Sequence, residues 1–121
     1  MRTFFVLVGL SLFSIGCSDV EPEYELVSDV SLLVNQEYVE LLYNGISSER
    51  GYSIVEQAKN YSVSEIRYVA RPSSAEVQFI YKPKEDFIGK DIVVIKNCIS
   101  AAGSDCTKTE FFKYIFNVKR Q

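Results

Sequence analysis

The 121-residue chain contains no histidine and no tryptophan, one methionine and three prolines. Without histidine it lacks the side chain that most often serves as general base, proton shuttle or metal ligand near neutral pH. Without tryptophan it lacks the strongest aromatic platform for stacking. Between Arg2 and Arg50 there is no lysine or arginine, and nowhere is there a Lys/Arg-rich cluster interleaved with aromatics, so nucleic acid is excluded as a partner. The longest apolar run, residues 4–15, reads FFVLVGLSLFSI. As a helix it would rise about 18 Å, well short of a hydrocarbon core roughly 30 Å thick, so it is a poor membrane span.

What is present divides the chain unevenly. Residues 18–49 hold Asp19, Glu21, Glu23, Glu25, Asp29, Glu37, Glu40 and Glu49 with no opposing cation, whereas the chain from Arg50 onward is net basic. An apolar share of 47% is that of a globular protein, and the length allows one domain.

At the N-terminus, Arg2 and the apolar run form the n- and h-regions of an export signal. The run ends in Ser14-Ile15-Gly16-Cys17, which resembles the lipobox of bacterial lipoproteins. The resemblance implies a signal peptide over residues 1–16, removed after Gly16, and a diacylglyceryl lipid on Cys17. No other cofactor is expected. One myristoyl-length chain binds a membrane only marginally, whereas two or three on one residue give a lasting anchor. An ordinary signal peptide with an incidental cysteine is the alternative. Ser18 to Glu25, SDVEPEYE, is similar to the acidic export stretch of surface lipoproteins in Bacteroidetes-type bacteria. It implies an outer-membrane lipoprotein facing the cell surface, with a plain acidic spacer on a periplasm-facing protein as the alternative. Residues 17–25 are then a lipidated tether and residues 26–121 the folded domain.

The remaining cysteines, Cys98 and Cys106, flank ISAAGSD, a composition suited to a turn. In an oxidising compartment a disulfide at the neck of a β-hairpin is expected, two buried free thiols being the alternative. Closing so short a loop contributes about 2–3 kcal/mol.

Within the domain, short runs alternate with period two, the signature of half-buried strands. Candidates are residues 26–34, 37–43, 52–57, 61–70, 76–82, 91–99 and 111–119, with Asn44-Gly45, Arg71-Pro72-Ser73-Ser74 and Ile88-Gly89-Lys90 as punctuation. Residues 53–59 also suit a short helix. The rhythm predicts an all-β domain, an antiparallel sandwich of about seven strands of immunoglobulin-like type. Residues 81–91, YKPKEDFIGKD, resemble the Y-x-P-x-x-x-F-x-G-x-D signature of bacterial immunoglobulin-like and cadherin-like repeat domains of cell-surface proteins. The resemblance spans residues 75–119 and gives Tyr81, Pro83, Phe87, Gly89 and Asp91 structural roles. Tyr81 closes a strand facing inward, Pro83 ends it, Phe87 plugs the core, Gly89 takes a glycine conformation, and Asp91 bonds nearby backbone amides.

No catalytic residue and no metal site is expected. Glu85, Asp86 and Asp91 lack the spacing of a calcium loop. The expected function is non-enzymatic: an anchored envelope protein serving adhesion or protein–protein assembly. Two alternatives are a glycan-binding lipoprotein, with Tyr38, Tyr43, Tyr52 and Tyr61 as candidate stacking residues, and a lipoprotein inhibitor or immunity factor.

Overall fold

The computed structural model describes residues 23–45, 50–100 and 106–121. Seven strands follow one another: β1 (Leu26–Leu33), β2 (Tyr38–Gly45), β3 (Arg50–Glu56), β4 (Tyr61–Ala70), β5 (Ala75–Pro83), β6 (Gly89–Ser100) and β7 (Cys106–Lys119). They form a four-stranded sheet, β1-β7-β6-β3, and a three-stranded sheet, β2-β5-β4. The all-β sandwich read from the alternation is what the chain builds. Residues 53–56 belong to β3, so the helical alternative there is not realised: Tyr52 and Ile54 face inward on a period of two and pair with Asn97 and Ile95.

One expectation needs correction. The sandwich is not wholly antiparallel, because β1 pairs in parallel with β7, Leu26 opposite Phe112 through Leu33 opposite Lys119. The link between β1 and β2 is a tight turn at residues 34–37, yet it moves the chain from one sheet to the other. Val34 N–H donates to Lys119 O (2.9 Å), keeping the end of β1 on β7. Since β1 and β7 both run toward that turn, their pairing must be parallel.

Inward-facing positions supply an aromatic core that needs no tryptophan. Phe79, Tyr81 and Phe116 are completely buried, with Tyr114 nearly so. Tyr81 stacks on Phe116 at 3.9 Å, Tyr38 meets the edge of Phe116 at 5.3 Å, and Phe79 lies 5.2 Å from Tyr114. Such pairs each add about 0.5–1.5 kcal/mol beyond the area they bury. One flank of the sandwich is closed between β3 and β4, where the Tyr68 hydroxyl donates to Tyr52 O (3.1 Å) and accepts from Tyr52 N (3.2 Å). Cys98 and Cys106 are joined as a disulfide at the neck of the β6–β7 hairpin, with Cα atoms 5.4 Å apart.

The core tyrosines predict behaviour in alkali. Burial raises the phenol pKa of Tyr38, Tyr81 and Tyr114 above the usual value near 10. Hydrogen bonds to Glu40 and Asp91 add to the rise at Tyr38 and Tyr81, and the Glu40 charge adds to it at Tyr114. The unfolded chain loses these protons first, so the stabilisation is intact below about pH 10 and declines as pH rises further. Denaturant titrations across the alkaline range should show that decline. An ultraviolet titration should show these phenols ionising only with unfolding; ionisation near pH 10 in an intact fold would contradict it.

Candidate functional site

The strands lead to two unlike ends. One carries the disulfide-bonded hairpin. The other gathers the β1–β2 turn, the β3–β4 connection and the β5–β6 loop, and it is there that the 81–91 stretch acts.

Asp91 is 3% exposed on the inner face of β6. Its Oδ1 accepts from Lys59 N (2.8 Å), and its Oδ2 accepts from Asn60 N (2.9 Å) and from the Tyr81 hydroxyl (3.0 Å). The expected backbone bonding is therefore long-range, to amides of the β3–β4 connection more than thirty residues away in sequence. Its own side of the chain contributes one further donor, Ile92 N at 3.1 Å. A buried carboxylate of this kind persists because its lone pairs are occupied. Tyr81, fully buried, holds the other side of that contact, and Pro83, buried, is the last residue of β5. Phe87 packs against the core cluster, and Gly89 has φ 138°. A Cβ at Gly89 would stand 3.2 Å from Phe87 Cζ in a conformation L-residues rarely adopt.

Two turns at this end share one design. Gln36 N–H donates to Leu33 O (3.0 Å) and Phe87 N–H donates to Lys84 O (3.0 Å). In each turn the third residue has positive φ, Asn35 at 65° and Asp86 at 61°. Asn and Asp are the residue types, after glycine, that best tolerate it. The turns are tied together by Asp86 N donating to Asn35 Oδ1 (3.0 Å), and Lys84 N donates to Asn60 O (3.0 Å) to include the third loop. The result is a pre-organised surface. It bounds a cleft of about 360 Å³ lined by Asn35, Ser62, Lys82, Pro83 and Glu85, and a smaller one of about 160 Å³ beside Glu56, Lys59 and Lys90. The lining offers amide, hydroxyl, ammonium and carboxylate groups, suited to holding a polar ligand.

A second surface follows from the displaced first strand. Because β1 bonds to β7, β2 is an edge of the three-stranded sheet with no strand beyond it among the described residues. On its outer side Val39 and Leu41 are 50% and 53% exposed, beside Ile80 of β5, which is only 3% exposed although it faces away from the core. Edge strands are commonly blunted by lysine or proline, and β2 has neither. A bulge between Leu41 and Tyr43 is its one irregularity. Sequence alternation locates this strand but says nothing about its edge position, which depends on where β1 pairs.

The tyrosines considered for glycan stacking do not form a platform. Tyr38 and Tyr43 pack against the core, Tyr52 is buried with its hydroxyl on Leu42 O (3.1 Å), and only Tyr61 is exposed. Period-two parity sends Tyr38 and Tyr52 inward, and the bulge between Leu41 and Tyr43 turns Tyr43 to the same side. Among the described residues no group of three or more His, Cys, Asp or Glu side chains is placed to hold a metal, and no helix is long and apolar enough to cross a membrane. Cys17 and residues 1–16, where a signal peptide is expected, lie outside the described residues.

No family model and no curated protein matches the chain. Among solved structures, the chain is similar to amebosin, with TM-score 0.55 and 11% identity over 81% of this chain and all of that one. A cysteine protease inhibitor from Entamoeba histolytica gives TM-score 0.48 and 14% identity, covering 82% of this chain and all of the inhibitor. A family 107 endo-fucoidan hydrolase gives 0.45 and 8%, over 78% of this chain but 13% of the enzyme. At these identities the likeness to amebosin concerns the fold alone.

Proposed function

We propose that this is a non-enzymatic, lipid-anchored envelope protein whose immunoglobulin-like domain binds another envelope protein by adding an extended segment of it to β2. The immunoglobulin-like assignment is supported by strand order: β2-β5-β4 and β3-β6-β7 correspond to the B-E-D and C-F-G orders of that sandwich. The anchor is supported by the lipobox resemblance at Ile15-Gly16-Cys17 and by the acidic, extended segment that follows. The observation that carries the binding reading is the open β2 edge. Backbone groups on the side of β2 away from β5 would supply hydrogen bonds to a partner strand, and exposed Val39 and Leu41 an apolar strip for alternate side chains.

Leu41→Lys tests it. The substitution sets a charge on the strip without entering the core, so stability should change by no more than about 0.5 kcal/mol. Co-purification of the native partner from detergent-solubilised envelopes should be lost. Val55→Lys, at an equally exposed site on β3, should leave it unchanged. Equal retention by both variants would rule out strand addition at β2. The polar cleft at the clasped end, where Asp91 and the Asn35–Asp86 contact tie the three loops together, favours a second reading, contact with a glycan, which a glycan array on the purified domain would reveal.

A further inference from the structure

From the charges around the open edge we infer what kind of strand β2 accepts: one that sets a lysine or arginine against Glu40, with apolar side chains on either side of it meeting Val39 and Leu41. This rests on the strand-addition reading of β2 and extends it to the chemistry of the partner.

Glu40 stands opposite Phe79 in the β2–β5 register, and Phe79 is completely buried. Residues directly opposite in an antiparallel pair share a face, so Glu40 belongs to the inner face of its sheet. Its neighbours on that face, Tyr38 and Leu42, both pack against the core. Because β2 is an edge strand, Glu40 is only half-buried, in the flank of the sandwich. Its Oε2 accepts from the Tyr38 hydroxyl, a contact within β2 itself. The other two carboxylates in the strands of this sheet are paired, Glu65 with Arg67 and Glu76 with Arg71. Among the described residues no cation pairs with Glu40.

The flank explains why. Residues 23–45 carry Glu23, Glu25, Asp29, Glu37 and Glu40 without a lysine or arginine. Tyr52 and Tyr68 link β3 to β4 on the opposite flank, so the strand across the sandwich from β2 is β1, whose inward positions are Ser28, Val30 and Leu32. Lys82, Lys84, Lys119 and Arg120 stand at the clasped end, past Tyr38 and Leu33 in register, among Glu37, Glu85 and Asp86. Lys113 faces out of the other sheet, against the Tyr24 ring. Lys90 and Lys96 lie on β6, with β7 and β1 between them and this flank, and Lys59 belongs to the β3–β4 connection.

A strand laid on β2 would cover Glu40 and take water from it. A charge that loses water without a counter-charge is strongly destabilising, which disfavours a neutral strand. A cation placed against it is screened less in the flank than on an open surface. The same reasoning disfavours a second copy of this chain, since two β2 edges paired antiparallel about Glu40 would bring two carboxylates together. The partner is therefore a basic, alternating segment of another protein.

Two peptides, TVTVKVTVT and TVTVEVTVT, test this on the mature lipidated protein in detergent. Each reads the same from either end and so suits parallel or antiparallel addition. With the valines against Val39 and Leu41, the central residue faces inward. The lysine peptide should bind about tenfold more tightly than the glutamate peptide, and Glu40→Gln should erase most of that ratio. Glutamine keeps an acceptor for the Tyr38 hydroxyl, and thermal unfolding of the variant checks that the fold is intact. Leu41→Lys should abolish binding of the lysine peptide. Equal binding of both peptides, lost in Leu41→Lys, would overturn the charge requirement and leave strand addition standing. A lysine preference undiminished in Glu40→Gln would overturn it as well. Binding of neither peptide would remove strand addition and the charge requirement together.

Discussion

Asp91→Ala should lower the free energy of unfolding by about 3–5 kcal/mol, a large part of the stability of a domain this size. The reason lies in what the carboxylate leaves behind. Lys59 N–H, Asn60 N–H and the Tyr81 hydroxyl all donate to it, and Tyr81 is fully buried against Phe116. A buried donor without a partner costs about 1–3 kcal/mol, and the methyl group of alanine satisfies none of the three. Asp91→Asn keeps the volume and one acceptor oxygen, and should cost roughly half as much. Thermal or denaturant unfolding of the two variants would check the order. Near-native stability of Asp91→Ala would mean that water replaces the carboxylate and that the clasp contributes little.

Cys17→Ser should produce the other large effect, complete loss of membrane retention. The serine hydroxyl cannot form the thioether through which the diacylglyceryl group is attached. With each acyl methylene worth about 0.8 kcal/mol, removing two or more chains eliminates the anchoring energy entirely. Fractionation of cells expressing the variant should place it in the soluble envelope or growth medium. The folded domain should be unaffected, since the described contacts begin at Tyr24, well beyond Cys17. Continued sedimentation with membranes would refute the lipobox reading.

The fold was legible from the strands whose two faces differ. Residues 76–82 and 111–119 alternate because Val77, Phe79 and Tyr81, and Phe112, Tyr114, Phe116 and Val118, face the core, while the opposite face is mostly polar, with Ile80, Phe111 and Ile115 as its apolar members. Parity of this kind fixes the face of each side chain but not the neighbour of each strand. The pairing of β1 with β7 was therefore hidden, and with it the open edge of β2, because adjacency is settled by contacts eighty residues apart. Asp91 shows the same division. Its presence in a Y-x-P-x-x-x-F-x-G-x-D stretch pointed to a structural aspartate, yet its partners in residues 59–60 carry no recognisable motif, since backbone amides leave no trace in sequence. Asn35 and Asp86 were equally silent: either residue suits a turn, and only the fold brings the two turns together. Asn97, 1% exposed with neither amide atom hydrogen-bonded, is a polar residue in a core position that nothing in its strand's alternation anticipates and nothing in the structure explains.

The binding account turns on whether the β2 edge is occupied in the cell. A photo-crosslinking side chain introduced at Leu41, with the same group at Val55 as a control, reads that directly in intact cells. The account predicts one discrete cross-linked protein from position 41, of constant mass across preparations, and none from position 55. Cross-links from neither position, or the same diffuse set from both, would contradict strand addition at β2 as the work of this domain.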